Sequence, residues 1–340
     1  MRRLFVVANA IGRDETLTKL IPTLTHHIKD SADQSANMSH AAAVPTGQEE
    51  DDEILLIMAE QLGQMVQCGL IPGYRATVIL PILEQLAGVE ETVVREKAVE
   101  SLNTILPLMM AEGVSVKGKE EEEARQSCVR TAPGLIINMI KRMAGADWFT
   151  AKVSACAVLP SAYQFFNCMK SNSTVHLGPL LDEQDGGLGL GDSQNQGGVS
   201  VEEVKAELRN IYRLLTEDET PMVRRGAGKS LACFVEAVAK LPYGKKGPNG
   251  GPITREFIFP GGNGKDEQMI KKTVSQDLKN KVYEEIVPLY QALSVDEQDS
   301  VRLLAVSASG SVGCALGLDA GICSQVVLPI IKAGSADLSW

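Results

Sequence analysis

Val94-Arg95-Glu96-Lys97-Ala98-Val99-Glu100-Ser101-Leu102 decides the fold class, because its spacing returns along the chain. The pattern V-R-x-x-A-x-x-x-L, or a near variant, recurs at Ala151-Lys152…Ala155…Leu159, at Val223-Arg224…Ala227…Leu231 and at Val301-Arg302…Ala305…Ser309. On a helix the alanine and the residue four later share a face with the earlier valine or alanine. Each segment therefore presents a narrow apolar stripe with a small residue at its centre, where a neighbouring helix can approach closely.

Upstream lies a second recurring helix marked by proline, in Leu20-Ile21-Pro22, Leu80-Pro81-Ile82, Val287-Pro288-Leu289 and Leu328-Pro329-Ile330. The step from Pro81 to Arg95 and from Pro288 to Arg302 is 14 residues in both cases. Proline removes a backbone donor and is expected to bend this first helix. Pro288 to Pro329 is 41 residues, and Leu56 precedes Arg95 by 39, the length of a two-helix HEAT or armadillo unit. The expected fold is all-α: a right-handed α-solenoid, or superhelix, of HEAT repeats built from antiparallel helix pairs.

Half a unit is read at 1–13, whole units at 17–69, 76–110, 128–169, 201–241 and 282–318, and half a unit at 322–340. Four polar or glycine-rich insertions, 31–50, 111–127, 170–200 and 242–275, interrupt the period and are expected to be disordered. No strand-like alternation of useful length is visible. Neither end shows the polar capping helix of a finished solenoid, so a segment of a longer array is expected.

Composition narrows the function. The chain has 340 residues, is 44% hydrophobic and only 4% aromatic, and suits Leu/Ala/Val helix packing. A net charge of −10 argues against nucleic acid or an anionic membrane as a partner. No apolar run is long enough for a membrane span. The 7 cysteines include no close pair and read as reduced, buried thiols of a cytoplasmic or nuclear protein. The segment Leu4–Ala10 after Met1-Arg-Arg reads as an amphipathic helix rather than a signal peptide.

Searches for chemistry fail. His26, His27, His40 and His176 are near no plausible nucleophile or ligand set. Gly264-Lys265 lacks the glycine and Ser/Thr of a phosphate loop, since Phe259 and Asp266 stand there. Gly187-x-Gly189-x-Gly191 follows no strand, and Glu120–Glu123 reads as a solvated face. A non-enzyme is expected, with no cofactor, no metal and no small-molecule substrate.

The turns between helices carry more specific information. They include Val89-Glu90-Glu91-Thr92-Val93-Val94-Arg95, Ala146-Asp147-Trp148-Phe149-Thr150, Asp218-Glu219-Thr220-Pro221-Met222-Val223-Arg224-Arg225 and Ser294-Val295-Asp296-Glu297-Gln298-Asp299-Ser300-Val301-Arg302. With Ile54-Leu55-Leu56-Ile57-Met58-Ala59-Glu60-Gln61-Leu62-Gly63, they closely resemble the protein phosphatase 2A scaffold (A, 65 kDa regulatory) subunit family. The resemblance runs in order through every helix pair and fails in the insertions. It places the chain from the second half of the first family repeat to the first half of the seventh.

What the resemblance implies is a phosphatase scaffold that binds exchangeable regulatory (B-type) subunits along a ridge of intra-repeat turns. In the family, later repeats hold the catalytic subunit, so the resemblance implies catalytic-subunit binding only if the full array exists. Another reading among binding proteins is a HEAT nuclear-transport receptor or general adaptor, which the turn sequences do not favour.

On the ridge, the residues implied are Glu90, Glu91 and Thr92 in one turn, and Asp147, Trp148, Phe149 and Thr150 in the next. Then come Glu219, Thr220, Pro221 and Met222, with Arg225 toward a partner carboxylate, and Trp340. Each has a plain alternative. Trp148 is either an interface anchor or an indole folded onto a neighbouring repeat. Glu90 and Glu91 either meet a basic partner or simply favour a helix N-terminus, and Pro221 and Met222 are either an apolar step or turn chemistry. For Arg224 and Arg302, six residues after Asp218 and Asp296, the resemblance implies a structural ladder tying adjacent turns together. Val89 and Ala146 interrupt that ladder in the earlier repeats.

Overall fold

The stripe that opens the repeat is buried as its spacing requires. Helix α5 (Thr92–Met109) turns Val94, Ala98, Leu102 and Ile105 inward. A computed structural model describes residues 4–28, 48–110, 118–171, 173–177, 198–241 and 274–337, with side chains from 52 onward in the second of these. They form two units, Met1–Ile211 and Tyr212–Trp340. The architecture in each is all-α, with successive helices joined by short turns and stacked on the next pair.

In the first unit, α1 (Leu4–Ile11) leads to α2 (13–28) and α3 (Gln48–Gln67). A 3₁₀ segment Gly73–Ile79 runs into α4 (Leu80–Leu86), and α5 is followed by α6 (Lys119–Ala144) and α7 (Phe149–Asn167). The second helices of successive pairs stack directly, α3 on α5 and α5 on α7. Small residues permit this: Ser101 donates its hydroxyl to the Ala59 carbonyl, and a Cβ at Gly63 would collide with the Ser101 side chain.

Helix α8 (Val201–Thr216) crosses from one unit into the other. The second unit continues with α9 (Pro221–Val238), α10 (Gln276–Lys281), α11 (Val287–Ser294), α12 (Asp299–Ser307), α13 (Ser309–Ala315) and α14 (Ala320–Ser335). There α9 packs on α12 and α13, and α14 covers α11, α12 and α13. Two buried tyrosines repeat one motif. Tyr212 donates to the Ala227 carbonyl at 2.6 Å, and Tyr290 pairs with the Ser309 hydroxyl at 2.7 Å. Burial raises the pKa of the Tyr290 phenol above its ordinary value.

Two of the prolines sit where the helix departs from regular α geometry. A π-helical turn, Thr16–Leu20, directly precedes Ile21-Pro22, and another, Val282–Ile286, precedes Val287-Pro288. Proline cannot donate to the fourth residue back, and the wider turn accommodates the displaced carbonyl. At Pro81 a 3₁₀ segment takes this place, whereas Pro329 lies within α14.

Three expectations need correction. The insertions fall largely outside the described residues, but the expected span 111–127 is too long, because α6 begins at Lys119. Glu121 is the reason. Its carboxylate, 14% exposed, meets Arg13 at 2.8 Å, Arg75 at 3.3 Å and the Tyr74 hydroxyl at 2.5 Å. The Tyr74 hydrogen bond, and then Arg75, hold the Glu121 carboxyl below the usual range. The acidic run is therefore not simply a solvated face. Second, residues 170–200 contain a small antiparallel pairing, β1 (Thr174–Val175) with β2 (Val199–Ser200). Third, the cysteines are not uniformly buried: Cys128, Cys156 and Cys314 are, while Cys68 and Cys168 are exposed. Burial pushes the Cys128 thiol up to about 11, leaving it unreactive at neutral pH.

Candidate protein-interaction ridge

The ridge turns are short, and those before α5 and α9 are pinned by hydrogen bonds that fix how their side chains are presented. In the first unit the chain leaves α4 at Ala87 and Gly88, whose N–H groups bond back to Leu83 and Gln85. It then enters α5 through Glu91, which caps the helix by accepting from the Val93 N–H at 3.4 Å. Glu90, Glu91 and Thr92 are exposed. Arg95 clamps this turn from behind, donating to the carbonyls of Val89 and Glu90, both at 3.0 Å. Glu91 thus serves the helix end, while Glu90 keeps an exposed side chain.

The next turn carries the most conspicuous surface feature. Trp148 immediately precedes α7 and is 71% exposed, so its indole is not folded onto a neighbouring repeat. Asp147 is exposed and Phe149 partly so. Thr150 departs from its expected surface role. It is 6% exposed and donates to the Gly88 carbonyl at 2.9 Å, while Ser154, one turn on, donates to the Ala87 carbonyl at 2.7 Å. Those carbonyls end α4 and need donors, so Thr150 tacks one repeat to the previous one. Arg142, at the end of α6, adds a two-pronged pair with Glu84 at 2.7 and 2.8 Å.

In the second unit, Glu219, Pro221, Met222 and Arg225 are exposed and Thr220 partly so. Pro221 opens α9, where its missing N–H costs nothing. Asp218 accepts from the Thr220 N–H at 2.9 Å and fixes the turn. Trp340 lies outside the described residues.

The ladder forms between consecutive turns. Arg224 places Nε and Nη2 on the two carboxylate oxygens of Asp296 at 2.7 and 3.3 Å and reaches Glu297 at 2.9 Å. Its Nη1 donates to the carbonyls of Asp218 and Glu219 at 3.0 and 3.1 Å. The side chains are only 13% and 8% exposed, and the bond to Asp296 raises the guanidinium pKa above its ordinary value. Arg302 repeats the arrangement, with carbonyl bonds to Asp296 and Glu297 and an ion pair to Asp337 at 2.7 Å. Asp337 takes the place in this rung that Asp296 takes for Arg224.

Two apolar ridge side chains are not marked by the repeat pattern. Val295 is 78% exposed beside Asp296, and Val93 is 50% exposed beside buried Val94. Val93 and Val94 are turned about 100° from each other around the helix, so one faces solvent while the other enters the stripe. Elsewhere, a polar cleft between α3 and α5, lined by Glu60, Gln64, Lys97, Glu100 and Thr104, encloses about 100 Å³. That is well below the roughly 300–1,000 Å³ of small-molecule sites. Among the described residues no cluster of His, Cys, Asp and Glu could hold a metal, and no helix is long and apolar enough to cross a membrane.

No protein-family model matches the chain. Curated relatives do. The alpha isoform of the serine/threonine-protein phosphatase 2A 65 kDa regulatory (A) subunit of Arabidopsis thaliana is 33% identical over 239 residues, 70% of this chain and 28% of the relative. The serine/threonine-protein phosphatase PP2A 65 kDa regulatory subunit of Drosophila melanogaster is 30% identical over 238 residues, again 70% and 28%. The protein phosphatase PP2A regulatory (A) subunit of Schizosaccharomyces pombe is 28% identical over 340 residues, 100% of this chain and 39% of the relative. The chain belongs to the protein phosphatase 2A 65 kDa regulatory (A) subunit family. It spans between 28% and 39% of the length of these relatives. All three carry the names of regulatory, not catalytic, subunits of the phosphatase, in keeping with a chain in which no catalytic constellation was expected.

Proposed function

We propose that the chain is a non-catalytic scaffold of a serine/threonine protein phosphatase 2A complex in the cytoplasm, and that its turn ridge binds regulatory (B-type) subunits. The observation that carries this reading is Trp148. A large aromatic side chain in the turn before α7 is left 71% exposed, its apolar surface uncovered by the rest of its unit. Tryptophan is among the residues most favoured as interface anchors. Exposed Val93, Met222 and Val295 extend apolar surface along the turns of their own units. The exposed carboxylates of Glu90, Asp147 and Glu219 supply polar rim. A scaffold of this kind works by raising the effective concentration of its partners toward one another.

The test is capture of purified regulatory subunit by the chain, compared with Trp148→Ala carrying Pro221→Arg. At least a tenfold loss of affinity is expected, because aromatic anchors at interface centres are typically worth about 2 kcal/mol or more. Unchanged affinity, with helicity intact by circular dichroism, refutes the ridge assignment.

A further inference from the structure

Arg95, Arg224 and Arg302 occupy one position in their respective repeats. All three point Nη1 at the carbonyls six and five residues earlier, at 3.0 and 3.0 Å, 3.0 and 3.1 Å, and 2.9 and 3.1 Å. This clamp fixes the guanidinium plane and leaves Nε and Nη2 as a second edge. In Arg224 that edge grips both oxygens of Asp296, and in Arg302 Nε holds Asp337. In Arg95, Nη2 meets only the Thr92 hydroxyl at 3.3 Å, and Nε has no acceptor among the described residues. The position in the following turn equivalent to Asp296 is Ala146, which has no carboxylate to offer. The two turns do abut, since Thr150 bonds Gly88 and Ser154 bonds Ala87. That joint is closed by these hydroxyls and by Arg142 with Glu84 instead.

We infer that the outer edge of Arg95 is a preformed receptor for one carboxylate of a bound regulatory subunit, taking from the partner what Asp296 supplies to Arg224 internally. The inference rests on the scaffold reading given above. A guanidinium held in place by two carbonyls loses little side-chain freedom on forming a two-pronged pair, which is the geometry arginine favours. Its surroundings restrict the occupant further. Trp148 and Val93 offer apolar contact on the same turns, while Glu90, Glu91 and Asp147 are exposed carboxylates. A uniformly acidic segment is therefore repelled. The partner that fits carries a single Asp or Glu beside an apolar side chain, with basic residues flanking them.

The experiment titrates purified regulatory subunit into the whole chain and into Ala146→Asp, Arg95→Lys and the double variant. Ala146→Asp fills the edge from within, so it is expected to weaken binding about tenfold while raising the melting temperature. Arg95→Lys keeps the charge but not the fork and is expected to weaken binding comparably. The double variant is expected to be no weaker than either single one, because both remove the same contact. Wild-type affinity in Ala146→Asp and Arg95→Lys, while Trp148→Ala still weakens capture, overturns the Arg95 assignment and leaves the scaffold reading standing. Fully additive losses in the double variant overturn it as well. Failure of the wild-type chain to capture regulatory subunit overturns the scaffold reading, and this inference with it.

Discussion

Replacing Asp296 with alanine isolates the energy of a ladder rung. The substitution removes the two bonds to Arg224 at 2.7 and 3.3 Å, and the acceptor of the Gln298 N–H at 2.9 Å. Arg224 is not stranded, because Glu297 and two backbone carbonyls still bind it. The cost is therefore below that of a fully buried orphaned charge. A hydrogen-bonded charge pair contributes about 2 kcal/mol and a lost turn cap about 1 kcal/mol, for roughly 3 kcal/mol in all. At roughly 3 °C per kcal/mol for a unit of this size, the melting temperature should fall by about 9 °C. Amide exchange across 294–302 and 218–224 localises the effect, and Asp296→Asn, which keeps the turn acceptor, should recover about a third of it. A double-mutant cycle with Arg224→Met should give a coupling near 2 kcal/mol that survives high salt, since both side chains are mostly buried. A coupling below about 0.5 kcal/mol would show that the pair is ornamental and that apolar stacking alone holds the turns in line.

Two further outcomes follow from the acids. Glu121 is held below the ordinary glutamate range, so it stabilises the start of α6 above that range and loses this effect as pH falls through its lowered pKa. Glu121→Gln should speed amide exchange of residues 119–127 at pH 7 but add little once the wild-type carboxyl is protonated. Equal exchange at pH 7 would disprove the anchoring. Glu236, which accepts from the Ser311 hydroxyl at 2.7 Å, is raised by burial, so its ionisation is resisted in the folded state. Stability of the second unit should decline as pH rises from the ordinary glutamate range through the raised pKa, and Glu236→Gln should flatten that decline. An unaltered pH profile in the variant refutes this.

The Ala-centred stripe, the proline helix and their common period are local facts, and by themselves they determined that this chain folds as stacked helix pairs. Burying one face of a helix needs a 3.6-residue pattern, and that pattern is written in neighbouring residues such as Val94, Ala98 and Leu102. The Asp296–Arg302 spacing likewise marks a turn and the arginine that clamps it. What only the tertiary structure decided is which groups from different repeats meet. Thr150 reads as a ridge residue but turns inward, because the open carbonyls of α4 lie beneath it. Glu121 reads as part of a solvated run, yet Arg13 and Arg75 arrive from distant helices and extend α6 to include it. Ala146 in place of an aspartate already marks the ladder as interrupted after Arg95, but only the seating of the turns shows that Thr150, Ser154 and the Arg142–Glu84 pair close that joint instead. Such contacts span tens of residues and depend on how one repeat seats on the next, which no local periodicity encodes.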